Sequence, residues 1–233
     1  MKLIKSFLTK NACFTRGQLI SPTQIMLHST ACPGAPAKNF VKSWNTAYPN
    51  NKAVCVHAFL NPGEVYQTLP WNMRAWHCGG TGNNVAIGFE ICEPKDYSNK
   101  DYFLEIKKTA LELCVYLCKE FNLTAKDVTS HCEAYRRYGS GYASNHSDLD
   151  HWWLRYFDYT MDNLRDELED MLERKEEDMV RYETIDEVPA WGKESVEKAL
   201  NVGVLKGTGK GLGLTETELK VLVWMDRAKC LDF

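Results

Sequence analysis

The amino-acid sequence predicts an α/β protein, a central mixed β-sheet flanked by helices, followed by a small helical C-terminal module. Three observations carry that expectation. Short apolar or alternating segments recur through the first 131 residues with helical stretches between them, the pattern of a sheet layered with helices. Asn61-Pro62-Gly63 stands between two of those segments and reads as a hairpin turn, so at least one strand pair is antiparallel and the sheet is mixed rather than purely wound. At 233 residues, against about 150 per domain, chain is left over for a second, smaller unit.

The first eleven residues interrupt their apolar positions with Lys5 and Lys10 and never build the apolar centre of a secretory signal. No run approaches the ~18 apolar residues that span a bilayer. The expectation is synthesis and folding in the cytosol, without membrane insertion. Ile25–His28 reads as the first strand, and residues 36–46 as a short helix burying Phe40 and Trp44. Strands are expected over Val54–Leu60 and Val65–Gln67, on either side of the hairpin, and over Val85–Cys92. Phe103, Ile106, Ala110, Cys114, Leu117 and Phe121 share one helical face, so residues 101–121 form a long helix packed on the sheet. Asp127–His131 reads as a further strand.

Charge divides the chain. Residues 1–160 carry 17 Lys+Arg against 13 Asp+Glu, residues 161–180 carry 3 against 9, and residues 181–233 carry 8 against 9. A net of +4 on the first segment is too weak for nucleic-acid binding, which calls for a dense basic stripe. In the acidic segment Met161, Leu164, Leu168, Met171 and Leu172 form one apolar stripe, so it reads as a helix with its carboxylates in water. The expected organisation is a first domain over 1–158, a helical linker over 159–180 and a module over 181–233. Nine cysteines, an odd number without a C-x-x-C pair, read as reduced thiols.

All six histidines lie before residue 152, and residues 131–153 gather His131, His146 and His151 with Asp148, Asp150 and several aromatics. Two histidines that end strands, with a carboxylate from a loop, form the three-ligand set of a catalytic zinc, which leaves one position open. Spacing does not choose among His131, His146, Asp148 and His151. His57 reads as a structural hydrogen-bonding partner within its strand, and His77 as a groove residue or a neighbour packed on Trp76. His151 reads as a group orienting Asp148. Cys132 points away from the His131 side if the strand continues.

Five ordered stretches carry a resemblance: Ile25-Met26-Leu27-His28-Ser29-Thr30, Val56-His57-Ala58, Arg74-Ala75-Trp76-His77-Cys78-Gly79, Ile87-Gly88-Phe89-Glu90-Ile91, and Ser130-His131-Cys132-Glu133 leading to Ala143 through Trp152. Together they resemble the type-2 N-acetylmuramoyl-L-alanine amidases, which include the peptidoglycan recognition proteins, and within them phage endolysins directed at Gram-positive, especially clostridial, walls. The resemblance implies a mixed sheet with zinc in a surface groove, His28, His131 and Asp148 as ligands, Glu90 as the acid/base, and Trp76 and His77 along the substrate groove. Many relatives carry Lys two residues before the acidic ligand; here His146 stands there, and the resemblance assigns it the stabilisation of the developing oxyanion. It implies peptidoglycan as the substrate, production in the host bacterial cytoplasm and action on the wall after release. The alternative is a peptidoglycan-recognition module without catalysis, which loss of the third ligand would mark.

Over 181–233, Val196, Ala199 and Leu200 mark one amphipathic helix, Gly203–Gly213 a glycine-rich turn, and Thr215 with Glu218 the capping box of a second helix. So small a core is expected to attach to the wall or to oligomerise. The codons of Arg174 to Asp178 are purine-rich, which suggests a ribosome-binding sequence ahead of an internal start at Met179.

Overall fold

The computed structural model describes residues 1–47, 54–177, 181–207, 209 and 211–232. They form two compact units, Met1–Glu169 and Asp170–Phe233. The internal start expected at Met179 lies outside the described residues.

The first unit runs β1 (Lys2–Lys5), α1 (Ala12–Arg16), β2 (Gln24–Ser29), α2 (Ala37–Trp44), β3 (Ala58–Asn61), β4 (Glu64–Gln67), β5 (Ala86–Ile91), α3 (Lys100–Phe121), β6 (Val128–Ser130), α4 (His131–Tyr138), α5 (Arg155–Phe157) and α6 (Met161–Glu177), the last crossing into the second unit. Its six strands make one sheet in the order β1-β4-β3-β5-β2-β6. Only the β3/β4 hairpin is antiparallel, so the expected mixed sheet is the one observed. The apolar faces of β2 and β5 are buried through Ile25, Leu27, Ile87 and Phe89, and α3 buries Phe103, Ile106, Ala110, Cys114 and Leu117. Asn99 caps the start of α3 by accepting from Tyr102 N, and Asn122 closes it in the left-handed region.

Three features depart from the sequence reading. Strand β1 has no counterpart in that reading; its four residues, two of them lysines, pair with β4 at the sheet edge. The strand expected over 54–60 is shorter, because Cys55 makes only an isolated bridge to Trp76 and His57 precedes β3. The strand expected to run through His131 stops at Ser130, whose hydroxyl accepts from Glu133 N and starts α4, so His131 opens a helix. The acidic helix buries the first part of the apolar stripe expected of it. Met161, Leu164 and Leu168 are buried, and Arg165 grips Glu133 and the Val128 carbonyl, so its first turns belong to the first unit.

The second unit has β7 (Arg181–Tyr182) antiparallel to β8 (Leu214–Thr215), with α7 (Ala190–Asn201) against α8 (Glu216–Arg227). The capping box of Thr215 and Glu218 is present. Tyr182, Val188, Val196, Ala199, Leu214, Leu219, Leu222 and Leu231 form its core. Gly192 permits the close approach of the helices, since a Cβ there would stand 2.7 Å from Leu219.

Candidate active site

Strand register builds the site. β2, β5 and β6 are parallel, with His28 opposite Glu90 and Leu27 opposite Ser130, which brings His28, Glu90 and the start of α4 to the carboxyl ends of neighbouring strands. Open sheets bind ligands there. Asp148 arrives from the loop after α4, and Leu149, at φ 68°, turns the chain immediately behind it. His28, Glu90, His131, His146 and Asp148 line one groove with a cavity of about 730 Å³, of the size that takes a small ligand. Trp44, Arg74, Trp76 and His77 line it too.

Among the described residues, one group of histidines and acids is placed to hold a metal: His28, His131 and Asp148. His28 Nδ1 and His131 Nδ1 lie 3.1 Å apart, and both face Asp148 Oδ2, at 3.3 and 3.2 Å. A tetrahedral ion at 2.0–2.1 Å from its ligands spaces them by about 3.3–3.4 Å, so the three atoms fit one. Burial favours protonation of Asp148, but hydrogen bonds from His131 and His28 outweigh it and hold the carboxyl well below the usual range. Burial also lowers the pKa of His28, keeping the imidazole neutral as a ligand must be.

Glu90 differs from Asp148, the other acid that lines the groove. Its Oε2 is shielded from solvent and has no hydrogen-bond partner. Burial, then the charges of Asp148 and Glu93, push its pKa well above the ordinary carboxylate value. His146 is exposed at the groove, its ring stacked on His131 with centroids 4.5 Å apart. His77 lies against His28, its Nδ1 2.8 Å from His28 Nε2, and Arg16 stands over Trp76 at 4.6 Å.

The remaining histidines are structural. His57 accepts from Gly88 N at 3.0 Å and donates to the Met73 carbonyl at 2.7 Å, and burial lowers its pKa to about 4. His151 does not orient Asp148 as expected. The π-helical turn Asp150–Leu154 carries it to Glu93, with Nε2 2.9 Å from Oε1. Cys132 faces Asp150 rather than the donor cluster, because it stands on a helix and not on a strand. Sequence reasoning missed Glu93, which binds Ser29, Ala31, Tyr97 and His151; flanked by Cys92 and Pro94, it has the look of a surface loop residue.

A mixed sheet with a His-His-Asp donor set and an unpartnered carboxyl at the carboxyl ends of its parallel strands is an arrangement suited to metal-assisted hydrolysis. Residues 18–149 match the N-acetylmuramoyl-L-alanine amidase family, and the chain belongs to it. It is 29% identical over 155 residues to N-acetylmuramoyl-L-alanine amidase XlyA of Bacillus subtilis, covering 65% of this chain and 49% of XlyA. With N-acetylmuramoyl-L-alanine amidase CwlH of the same organism it shares 34% over 145 residues, covering 58% of this chain and 52% of CwlH. The chain thus matches about half the length of these curated relatives. The solved catalytic domain of XlyA superposes with a TM-score of 0.53 at 24% identity, covering 74% of this chain and 99% of that domain, a likeness of fold.

Proposed function

We propose that the chain is a zinc-dependent N-acetylmuramoyl-L-alanine amidase that cleaves the lactyl amide between N-acetylmuramic acid and L-alanine in peptidoglycan, acting as an endolysin on the bacterial wall. The observation that carries this reading is the convergence of His28 Nδ1, His131 Nδ1 and Asp148 Oδ2 in the groove that holds the unpartnered Glu90 oxygen. Zinc in that donor set supplies Lewis acidity, polarising the scissile carbonyl and making water a nucleophile at neutral pH. Glu90 moves the proton. Its carboxylate takes one from water as the C–O bond forms and delivers it to the amide nitrogen as the C–N bond breaks. The products are the lactyl carboxylate and the free amino terminus of L-alanine. His146 donates an N–H to the carbonyl oxygen as that oxygen gains charge, a role in which loss of one donor costs about 3–4 kcal/mol. Trp76 and His77 hold the substrate along the groove wall.

A recognition module without catalysis would have no need of an ionised third ligand, and Asp148 supplies one. Purified Gram-positive walls, assayed for newly freed amino termini and for reducing sugars, test the proposal. Amino termini alone are expected to rise, chelator is expected to abolish the release and zinc to restore it. Reducing ends without amino termini, or full release from metal-free protein, would refute it. For residues 181–233 we infer attachment to the wall or to a second copy of the chain. Light scattering and wall sedimentation of the full chain test that, and a monomer that stays in solution would refute it.

A further inference from the structure

We propose that the His77-Cys78 segment, clamped by Asn83, is a brace that fixes the tautomers of both imidazole ligands, which makes His77 a positioning residue for the metal site. This rests on reading His28 and His131 as ligands. Both rings turn Nδ1 toward the donor cluster, so each, when it ligates a metal, is unprotonated there and carries its proton on Nε2. A ligand ring whose second nitrogen lacks a partner can rotate or adopt the other tautomer, so the acceptor for Nε2–H decides how well the site is preformed.

Each Nε2 leads to a backbone carbonyl through one intermediate group. His28 Nε2 is 2.8 Å from His77 Nδ1, and His77 Nε2 is 3.2 Å from the Ala86 carbonyl. A carbonyl only accepts, so His77 keeps its proton on Nε2 and offers an Nδ1 lone pair to the His28 Nε2–H. His131 Nε2 is 3.2 Å from Ser144 Oγ, and that hydroxyl is 3.2 Å from the Cys78 carbonyl. The hydroxyl donates to the carbonyl and its oxygen accepts from His131. The two relays therefore pass through adjacent residues, His77 and Cys78.

That segment is itself held. Asn83 Oδ1 accepts from the backbone N of His77 at 2.9 Å and of Cys78 at 3.0 Å. Two glycines leave the room the relays need. A Cβ at Gly88 would stand 2.4 Å from His77 Nδ1, and one at Gly79, where φ is +74°, would stand 2.9 Å from Ser144 Oγ.

The test uses the full chain and its His77→Ala, His77→Gln and Ser144→Ala variants. Zinc affinity is measured by chelator competition, and the Nε2–H hydrogen bonds of the two ligand rings by nitrogen NMR on zinc-loaded protein. His77→Ala is expected to bind zinc about 10–100-fold more weakly, the usual cost of losing an outer partner. His77→Gln, whose side-chain carbonyl still accepts, is expected to recover most of that loss, and Ser144→Ala to weaken binding to a smaller degree. Zinc-loaded wild type is expected to show a hydrogen-bonded Nε2–H on both His28 and His131, and His77→Ala to lose that bond at His28. Wild-type zinc affinity in His77→Ala, with only a raised KM for wall fragments, would overturn the proposal and leave His77 with its substrate contact alone. If His77→Ala does not fold, His77→Gln and the zinc-loaded wild-type spectrum decide, and a His28 Nε2–H without a hydrogen bond overturns the brace. A wild type that binds no zinc would instead refute the ligand assignment, and the brace with it.

Discussion

Glu93 accepts from Ser29 Oγ at 2.6 Å, from Ala31 N at 2.9 Å and from the Tyr97 hydroxyl at 2.7 Å, and meets His151 at 2.9 Å, whereas Glu90, three residues earlier, leaves a shielded oxygen without any partner. Burial pushes both carboxyls toward the neutral form. For Glu93 the bonds from His151, Ser29 and Tyr97 win and its pKa falls; for Glu90 nothing opposes burial, and the charges of Asp148 and Glu93 add to it. One carboxylate is therefore anchored as a charge, joining β2 to the turn that follows Asp148. The other is held as a strong base facing the groove, at a cost to stability, which is how reactive groups differ from structural ones.

The largest effect expected from this contrast is on turnover. Glu90→Gln should lower it about 10²–10⁴-fold, the usual worth of a positioned acid/base, with zinc content unchanged. Near-normal release of amino termini would move the proton transfer elsewhere. Glu93→Gln should do the reverse: stability in urea should fall by about 2–3 kcal/mol, the cost of stranding buried partners of a charge, while the folded fraction keeps turnover within several-fold. Equal stability of Glu93→Gln and wild type would erase the distinction. Metal-free Glu90→Gln should be as stable as wild type or more so, because it removes a carboxyl whose folded pKa exceeds its unfolded one and which therefore destabilises the fold above pH 4.5.

The smallest effect is a pH dependence. The Glu93 carboxyl, lowered in the fold, contributes fully above pH 4.5 and loses that contribution as pH falls. His151, raised chiefly by Glu93, contributes fully below pH 6.5 and loses it as pH rises through its folded value. The stability difference between wild type and His151→Gln should peak between about pH 4.5 and 6.5, at about 1 kcal/mol or less for this partly exposed pair. A difference that is flat across pH would contradict the pairing.

Much of the sheet was legible because its strands are apolar runs closed by turn residues, and α3 because one face repeats over 22 residues. β1 was not, since Lys2-Leu3-Ile4-Lys5 is too short to display a period and owes its state to β4. The start of α4 had a readable cue in Ser130 and Glu133, three apart, but the apolar Val128 ahead of them argued for strand. Residue types narrowed the candidate ligands to a cluster, and the resemblance carried by the order of the motifs singled out His28, His131 and Asp148, the three that the fold brings together. What brings them within reach of Glu90 is a long-range register between β2 and β5, which no local pattern encodes. Glu93 was invisible for the same reason: its partners come from residues 29, 31, 97 and 151.

In the mechanism proposed above, His28, His131 and Asp148 hold one zinc ion on which the amidase reaction depends, with Glu90 outside the ligand set. Zinc content and amino-terminus release, measured on the same preparations of wild type, His28→Ala and Glu90→Gln, test it most directly. Wild type is expected to carry one zinc per chain and to be active, His28→Ala to be substoichiometric and inactive, and Glu90→Gln to be fully loaded and inactive. Stoichiometric zinc in His28→Ala, or release by a preparation shown to be free of metal, would contradict the account.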